Sequence, residues 1–427
     1  MMRAPVAALF FATSASACAM GSEIWLIPQV MTQPGSPVVV ISNSKLRSVE
    51  HAGGSGWFGA GTTNRGVDIK TVAWSFQTLD VRTCKAGVVH KFTQSVDAVG
   101  WGTAPGELWV RSPDDSPIIR PLEGAARLEL GTARARWPGE PLPVRSGVAV
   151  APGLLRVWNL DTRSIRDLPW SWEPAVTKFF SPRPGDDTLV GIVDGDGKSI
   201  NLVAVPLSDP SSPPVTSTFE GRYSARQARL LRRGTWLALT PASVSRAGEL
   251  DLVDVRAGKR LARFPVAFGD SWVLMDGDRP RLARLADPPS CRKLEIVDLE
   301  TGAATDVQLP GCATGLRAWG EDTPFVITGV APVGDFAVDV RTAKAARLAA
   351  GSTGGDLVGS AFYSAELGRT ELLGVDPSSG RRWTAATDAE PIRSVVGVPA
   401  ARKVVIVDER QRILTFDVDS RQIRVCQ

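Results

Sequence analysis

The sequence predicts an all-β protein, and three observations carry that expectation. Val, Thr and Trp are plentiful, while 41 Gly and 31 Pro punctuate the chain. No long apolar stretch with a 3.6-residue period and helix caps follows the N-terminal segment. One short hairpin is also written again and again along the chain.

The hairpin is clearest in "DVRTCKAG" (Asp80 to Gly87), "DVRAGKRL" (Asp254 to Leu261) and "DVRTAKAA" (Asp339 to Ala346). Its pattern is an apolar strand ending in Asp or a substitute, a polar turn with Thr, Ser or Gly, and a second strand. From "RVWNLDTRSIRDL" onward the markers fall at Asn159, Ala204, Asp254, Asp298, Asp339, Gly374 and Asp417, at intervals of 35 to 50 residues. The repeated Asp is expected to be structural. At the end of a strand its carboxylate accepts hydrogen bonds from the amides of the turn and holds the hairpin closed.

A second pair of short strands precedes each hairpin, as "SVVGVPA" and "KVVIVDE" do before the last one. Four strands in a period near forty residues describe a propeller blade. On these motifs the chain resembles the bacterial β-propeller superfamily, in the broad sense that includes WD-repeat-like, lactonase-like and quinoprotein-like propellers. The resemblance covers residues 125–427, read as seven regular blades, and extends less regularly over 22–124, read as an irregular first blade or a β-rich extension. It implies a propeller of four-stranded blades, eight of them favoured, with seven plus an N-terminal extension as the alternative.

Residues 1–19 read as an export signal: Arg3, an apolar run from Ala4 to Thr13, then small residues. Cleavage after Ala17 would expose Cys18 for lipidation, and "ASAC" is similar to a bacterial lipoprotein box with Ala where Leu is usual. Cleavage after Ala19 would discard Cys18 with the signal. Both routes place the mature chain outside the cytoplasm, whether periplasmic, secreted or lipid-anchored, where disulfides persist.

Net charge is +4, with the basic residues interspersed among Asp and Glu. No basic face for nucleic acid is formed. Two His, His51 and His90, are too few for His-rich metal or haem sites. "HAGGSGWFGAG" (His51 to Gly61) lacks the nucleophile elbow, because Trp57 stands two residues after Ser55. "GDSW" (Gly269 to Trp272) resembles the opening of one esterase family but has no His downstream. "VDGDGKS" (Val193 to Ser199) reads as a hairpin turn rather than a calcium loop, since the twelfth loop position lacks Glu. No catalytic or metal-ligating residue and no cofactor is therefore assigned.

The 13 Trp are mostly expected to pack between blades, Trp158 in "RVWNL" among them. "PWSWEP" (Pro169 to Pro174) differs, since Trp170 and Trp172 framed by Pro suggest a loop, and they are the candidate contact surface. Cys291 and Cys312 flank a hairpin centred on Glu300 to Ala303, and are expected opposite each other as a disulfide. Cys84 and Cys426 are the second expected pair, which would tie a ring shut. The expected function is an exported, non-catalytic interaction scaffold of the cell envelope, with a protein or glycan partner and membrane contact only through a lipid on Cys18. The alternative is a metal-dependent hydrolase of the lactonase type, which needs carboxylates from three or more innermost strands to converge in the channel.

Overall fold

In the computed structural model, the described residues are 23–426 apart from 52–65, 94–95, 112–117, 130–133, 137–145, 152–153, 170–175, 181–187, 195–197, 208–213, 226, 232–233, 242–247, 267–271, 278, 286–290, 319–324, 332, 349–351, 367, 378 and 388–389. Their strands form nine antiparallel sheets, each made from consecutive stretches of chain. The sheets occupy 23–92, 97–129, 134–169, 176–220, 229–266, 272–308, 312–347, 352–386 and 392–425. The first has five strands and the other eight have four.

The fifth sheet shows how sequence sets position within a sheet. Its second strand, Trp236–Leu239, is apolar and wholly buried, and its third, Gly248–Asp254, is buried through its middle. Its fourth, Lys259–Val266, alternates exposed Lys and Arg with buried Phe264 and Val266. Strands covered on both faces read as continuous apolar runs, and an edge strand alternates. First strands of neighbouring sheets approach each other, as Trp272–Met275 does Cys312–Ala318 and Ser352–Val358 does Ile392–Val398. The first strand is therefore innermost and the fourth outermost.

Among the described residues, neighbouring sheets pack face to face through apolar side chains at eight of nine junctions, and between the third and fourth Arg166 donates to the Leu207 carbonyl. Val40 and Phe76 of the first sheet meet Trp101, Leu108 and Val110 of the second. Trp109 and Ile119 of the second meet Trp158 and Leu160 of the third. The same arrangement joins the fourth through ninth sheets in order. Finally Val398, Val405, Val407 and Ile413 of the ninth sheet pack on Val39, Ile41, Leu79 and Val81 of the first. Sheets that stack in sequence and return to the first form a closed β-propeller. Each of these fully buried Val, Leu and Ile side chains contributes about 1.5–3 kcal/mol relative to exposure.

The N-terminal part differs from the sequence expectation. Residues 23–129 supply two sheets, where one irregular blade was expected, so the described residues carry nine sheets where eight or seven blades were counted. The stretch from the Asp80 hairpin to Glu129 is short for a further sheet of strands of average length. The second sheet fits because its strands, Asp97–Trp101, Leu108–Arg111, Ile118–Pro121 and Leu128–Glu129, are only 5, 4, 4 and 2 residues long. The first sheet is irregular for the opposite reason. Val38–His51 and Gly66–Asp80 pair along 14 and 15 residues and continue past Lys85–Phe92 as a ribbon. Glu23–Trp25 adds to that ribbon at Lys45–Arg47.

Candidate functional site

The repeated acidic residue stands where the third strand turns into the fourth. Asp80 Oδ1 accepts from the Arg82 amide at 2.9 Å, and Asp254 Oδ1 from Ala257 at 2.7 Å. Asp298 Oδ1 accepts from Glu300 and Thr301, both at 3.0 Å, and Asp339 Oδ1 from Arg341 at 2.8 Å. Asp417 Oδ1 accepts from Asp419 at 3.1 Å and Ser420 at 2.9 Å, and Asn159 Oδ1 from Thr162 at 3.0 Å. In the eighth sheet the residue with this role is Asp376, which accepts from the Ser379 amide and hydroxyl. Gly374, the expected marker there, instead leaves room for the Trp383 ring against the strand.

Four residues after each of these acids or Asn159, the backbone enters the left-handed region: Cys84, Arg163, Gly258, Gly302, Ala343, Gly380 and Arg421 all have φ between 50° and 72°. A common turn is thus repeated, and the carboxylate is the acceptor that closes it. Burial pushes the Asp298 carboxyl up, but the Thr301 and Glu300 amides outweigh it and hold the group below the usual carboxylate range. For Asp339 burial is outweighed by the Arg341 guanidinium and amide. For Asp417 the Ser420 amide is the leading cause of the same downward shift.

The innermost strands carry the other place where chemistry could gather. Among the described side chains of these strands the one carboxylate is Asp356, against Arg229, Arg317 and Arg393. The Asp356 carboxylate already accepts from the Leu357 amide at 2.8 Å and the Gly397 amide at 2.9 Å, linking the eighth and ninth sheets. Among the described residues, no group of three or more His, Cys, Asp or Glu is placed to hold a metal ion.

The most concentrated buried charge lies between the fourth and fifth sheets. Asp251, fully buried on the third strand of the fifth sheet, pairs with Arg263 and Arg260, each through Nε at 2.7 Å. The Tyr223 hydroxyl, from the connection between the two sheets, donates to Oδ2, the oxygen that Arg260 also meets. Burial alone would raise the Asp251 carboxyl, yet the Arg263 and Tyr223 donors and both guanidinium charges hold it low. Arg263 also reaches Glu249 at 2.8 Å, so two cations face two carboxylates. The arrangement satisfies a buried charge at a packing seam, which is a positioning task.

Both expected cysteine pairs come together. Cys84 and Cys426 are bridged with Cα atoms 4.8 Å apart, across 342 residues of sequence. Cys291 and Cys312 are bridged at the same Cα distance, but not as facing residues of one hairpin. Cys291 precedes the third strand of the sixth sheet, whereas Cys312 opens the first strand of the seventh and pairs with Ala331. The Cys291 carbonyl accepts from the Ala313 amide at 2.8 Å, so the bridge staples two neighbouring sheets. The midpoint rule failed because the chain leaves the sixth sheet at Leu309, whose amide bonds back to Arg292, before it reaches Cys312.

Trp158 is fully buried between the second and third sheets, as a packing role requires. Trp170 and Trp172, Cys18, the residues around Ser55, residues 195–197 of the Val193–Ser199 stretch and 269–271 of Gly269–Trp272 lie outside the described residues, while Val193 and Asp194 pair with Asn201 and Ile200 as strands of a hairpin. His90 lies on the outermost strand of the first sheet, its Nε2 3.5 Å from Glu123. One feature was missed in the sequence: turn residues reach into the preceding sheet. Arg163 reaches Glu107 at 3.0 Å, Arg82 the Ala400 carbonyl at 3.0 Å, and Arg421 stacks 5.8 Å from the Trp383 ring centre. The only signal was an Arg two or four residues after the strand-ending Asp or Asn, which any solvated turn also shows.

No family model matches the chain, and no curated protein matches it. Similar solved structures include apo AztD from Citrobacter koseri, at 12% identity over 82% of this chain and 90% of that one, with a TM-score of 0.41. The dihydro-heme d1 dehydrogenase NirN is similar at 11% identity over 82% and 70%, with a TM-score of 0.43. The C-terminal WD40 domain of Sif2 is similar at 11% identity over 66% and 81%, with a TM-score of 0.37.

Proposed function

We propose that this protein is an exported, non-catalytic β-propeller that serves as an interaction scaffold in the cell envelope, with a protein or glycan partner. The observation that carries the reading is the use of the recurrent carboxylates. Seven turns direct their Asp or Asn at backbone amides, and Asp356 is held by two more. Groups satisfied in this way hold the frame and are not directed at a substrate. The inner strands support the same reading, since a site for a divalent cation is disfavoured where Arg outnumbers carboxylate among the described side chains.

Export fits the two bridges, because disulfides persist in oxidising compartments. Among the described residues no helix is long and apolar enough to cross a membrane. Seven of the third-to-fourth turns share one form, while connections between sheets range from the short 309–311 to the longer 221–228. Variable connections on a rigid frame are where recognition is placed. The connection 170–175, with Trp170 and Trp172, is the segment to probe first.

The deciding experiment combines two readouts on purified protein. Metal content and hydrolysis of lactone and ester substrates are measured with and without chelator, and a photo-crosslinking residue at position 170 or 172 is used to trap partners in the intact envelope. A discrete crosslinked partner, together with no chelator-sensitive turnover, is expected. Turnover that a chelator abolishes while the protein stays folded would establish the hydrolase instead.

A further inference from the structure

The ring has one seam unlike the others. From the first sheet to the ninth, every pair of neighbours is joined by the polypeptide itself. The ninth and first sheets are not. Among the described residues each is built from its own stretch of chain, 23–92 and 392–425, with no strand exchanged between them. Across that seam stand the apolar contact of Val398, Val405, Val407 and Ile413 with Val39, Ile41, Leu79 and Val81, the Arg82 to Ala400 hydrogen bond, and the Cys84–Cys426 bridge. Among the described residues, the bridge is the sole covalent link there.

We propose that the Cys84–Cys426 disulfide is a redox-dependent closure of the propeller, standing in for a shared strand, so that the ring is locked only once these two thiols have been oxidised. The local structure is built for it. Cys84 occupies the left-handed position of the first sheet's turn, with φ of 58°, where the six other turns of this form place Gly, Ala or Arg. Cys426 follows the last strand and is registered by its amide on the Ile413 carbonyl at 2.8 Å. The Thr415 hydroxyl lies 3.8 Å from one sulfur and 3.5 Å from the other, beneath the bridge. Both cysteines are partly exposed and so within reach of a redox partner.

Closure removes two protons and two electrons from the Cys84 and Cys426 thiols. A protein disulfide of the thiol-oxidising class accepts them and becomes a dithiol, by exchange through a mixed disulfide. Before that step the two faces of the seam separate without breaking any covalent bond, and the valines that line them meet water. Local opening of this kind is read by amide exchange. The compartment in which closure occurs rests on the exported reading above; the seam itself does not.

The test is hydrogen exchange on full-length protein in four states: oxidised wild type, the Cys84→Ser/Cys426→Ser variant, and a Cys291→Ser/Cys312→Ser variant before and after dithiothreitol. In that last variant the seam bridge is the disulfide left to reduce. Expected is about a tenfold faster exchange in Lys403–Asp408 and in the Val39–Ile41 part of the first sheet whenever the seam bridge is absent, with Gly248–Asp254 of the fifth sheet little changed. Unchanged seam protection overturns the proposal, and so does an equal loss in every sheet. If the serine variant does not fold, the dithiothreitol arm decides alone. Fractionation of cells separates the two readings: a cytoplasmic protein with an opening seam rejects export and leaves the lock standing.

Discussion

Asp298 shows what one repeated side chain contributes. Its carboxylate takes two amides of the turn and is held below the usual carboxylate range, although burial pulls the other way. A folded-state pKa below the unfolded value near 3.9 means stabilisation that is complete above that value and is lost as pH falls through the folded pKa. Asn159 performs the same bonding without a titrating group. Asp298→Asn should therefore keep the turn and be less stable than wild type by roughly 0.5–1.5 kcal/mol at pH 7, with the gap closing as pH falls through and below the usual carboxylate range. Urea unfolding midpoints at pH 7, 5, 3.5 and 2.5 measure it, and a gap that persists at the lowest pH would show that charge is not the cause. Asp at these positions was legible in the sequence as turn chemistry. Asp251 was not, because its two arginines lie on the next strand and its tyrosine in the connection from the neighbouring sheet.

The hairpin element was the most readable level, since a strand, an Asp and a polar turn are all local in sequence. Its precise register was less so. In the eighth sheet the apolar run continues one residue past Gly374 to Val375, and only the amide geometry identifies Asp376 as the closing acid. The left-handed residue of the turn varies among Gly, Ala, Arg and Cys, which hid the common form. Two glycines separate the reasons for that residue. At Gly302, with φ of 71°, a Cβ would meet nothing within 4 Å, so Gly302→Ala carries only the cost of left-handed backbone, about 1–2 kcal/mol. At Gly258 a Cβ would also run into the Ser217 hydroxyl on the outer strand of the fourth sheet. Gly258→Ala should cost more than Gly302→Ala, and removing the obstruction with Ser217→Gly should bring the two closer. Equal losses in denaturant titrations would mean that this turn does not press on the preceding sheet.

At the scale of the whole molecule, the period gave the architecture while the short strands of the second sheet and the path between the sixth and seventh sheets stayed hidden, because both depend on where the chain leaves a sheet. The Cys291–Cys312 bridge turns that difference into a measurement. Its separation of 21 residues implies about 3 kcal/mol of stabilisation on the chain-entropy estimate, and this value is the same whether the bridge lies inside one hairpin or between two sheets. Location is what distinguishes them. A bridge within the sixth sheet would hold Lys293–Asp298 against Ala304–Gln308, a pair already joined by a full ladder of main-chain bonds. A bridge to the seventh sheet instead fixes Cys312–Ala318, an innermost strand that meets the sixth sheet through Ala313 and Leu316. Cys291→Ser/Cys312→Ser should therefore lose about 3 kcal/mol in guanidinium titration, with faster amide exchange concentrated in Cys312–Ala318 and the Ala304–Gln308 ladder still protected. Loss of protection in Ala304–Gln308 with Cys312–Ala318 unaffected would place the bridge back inside the hairpin.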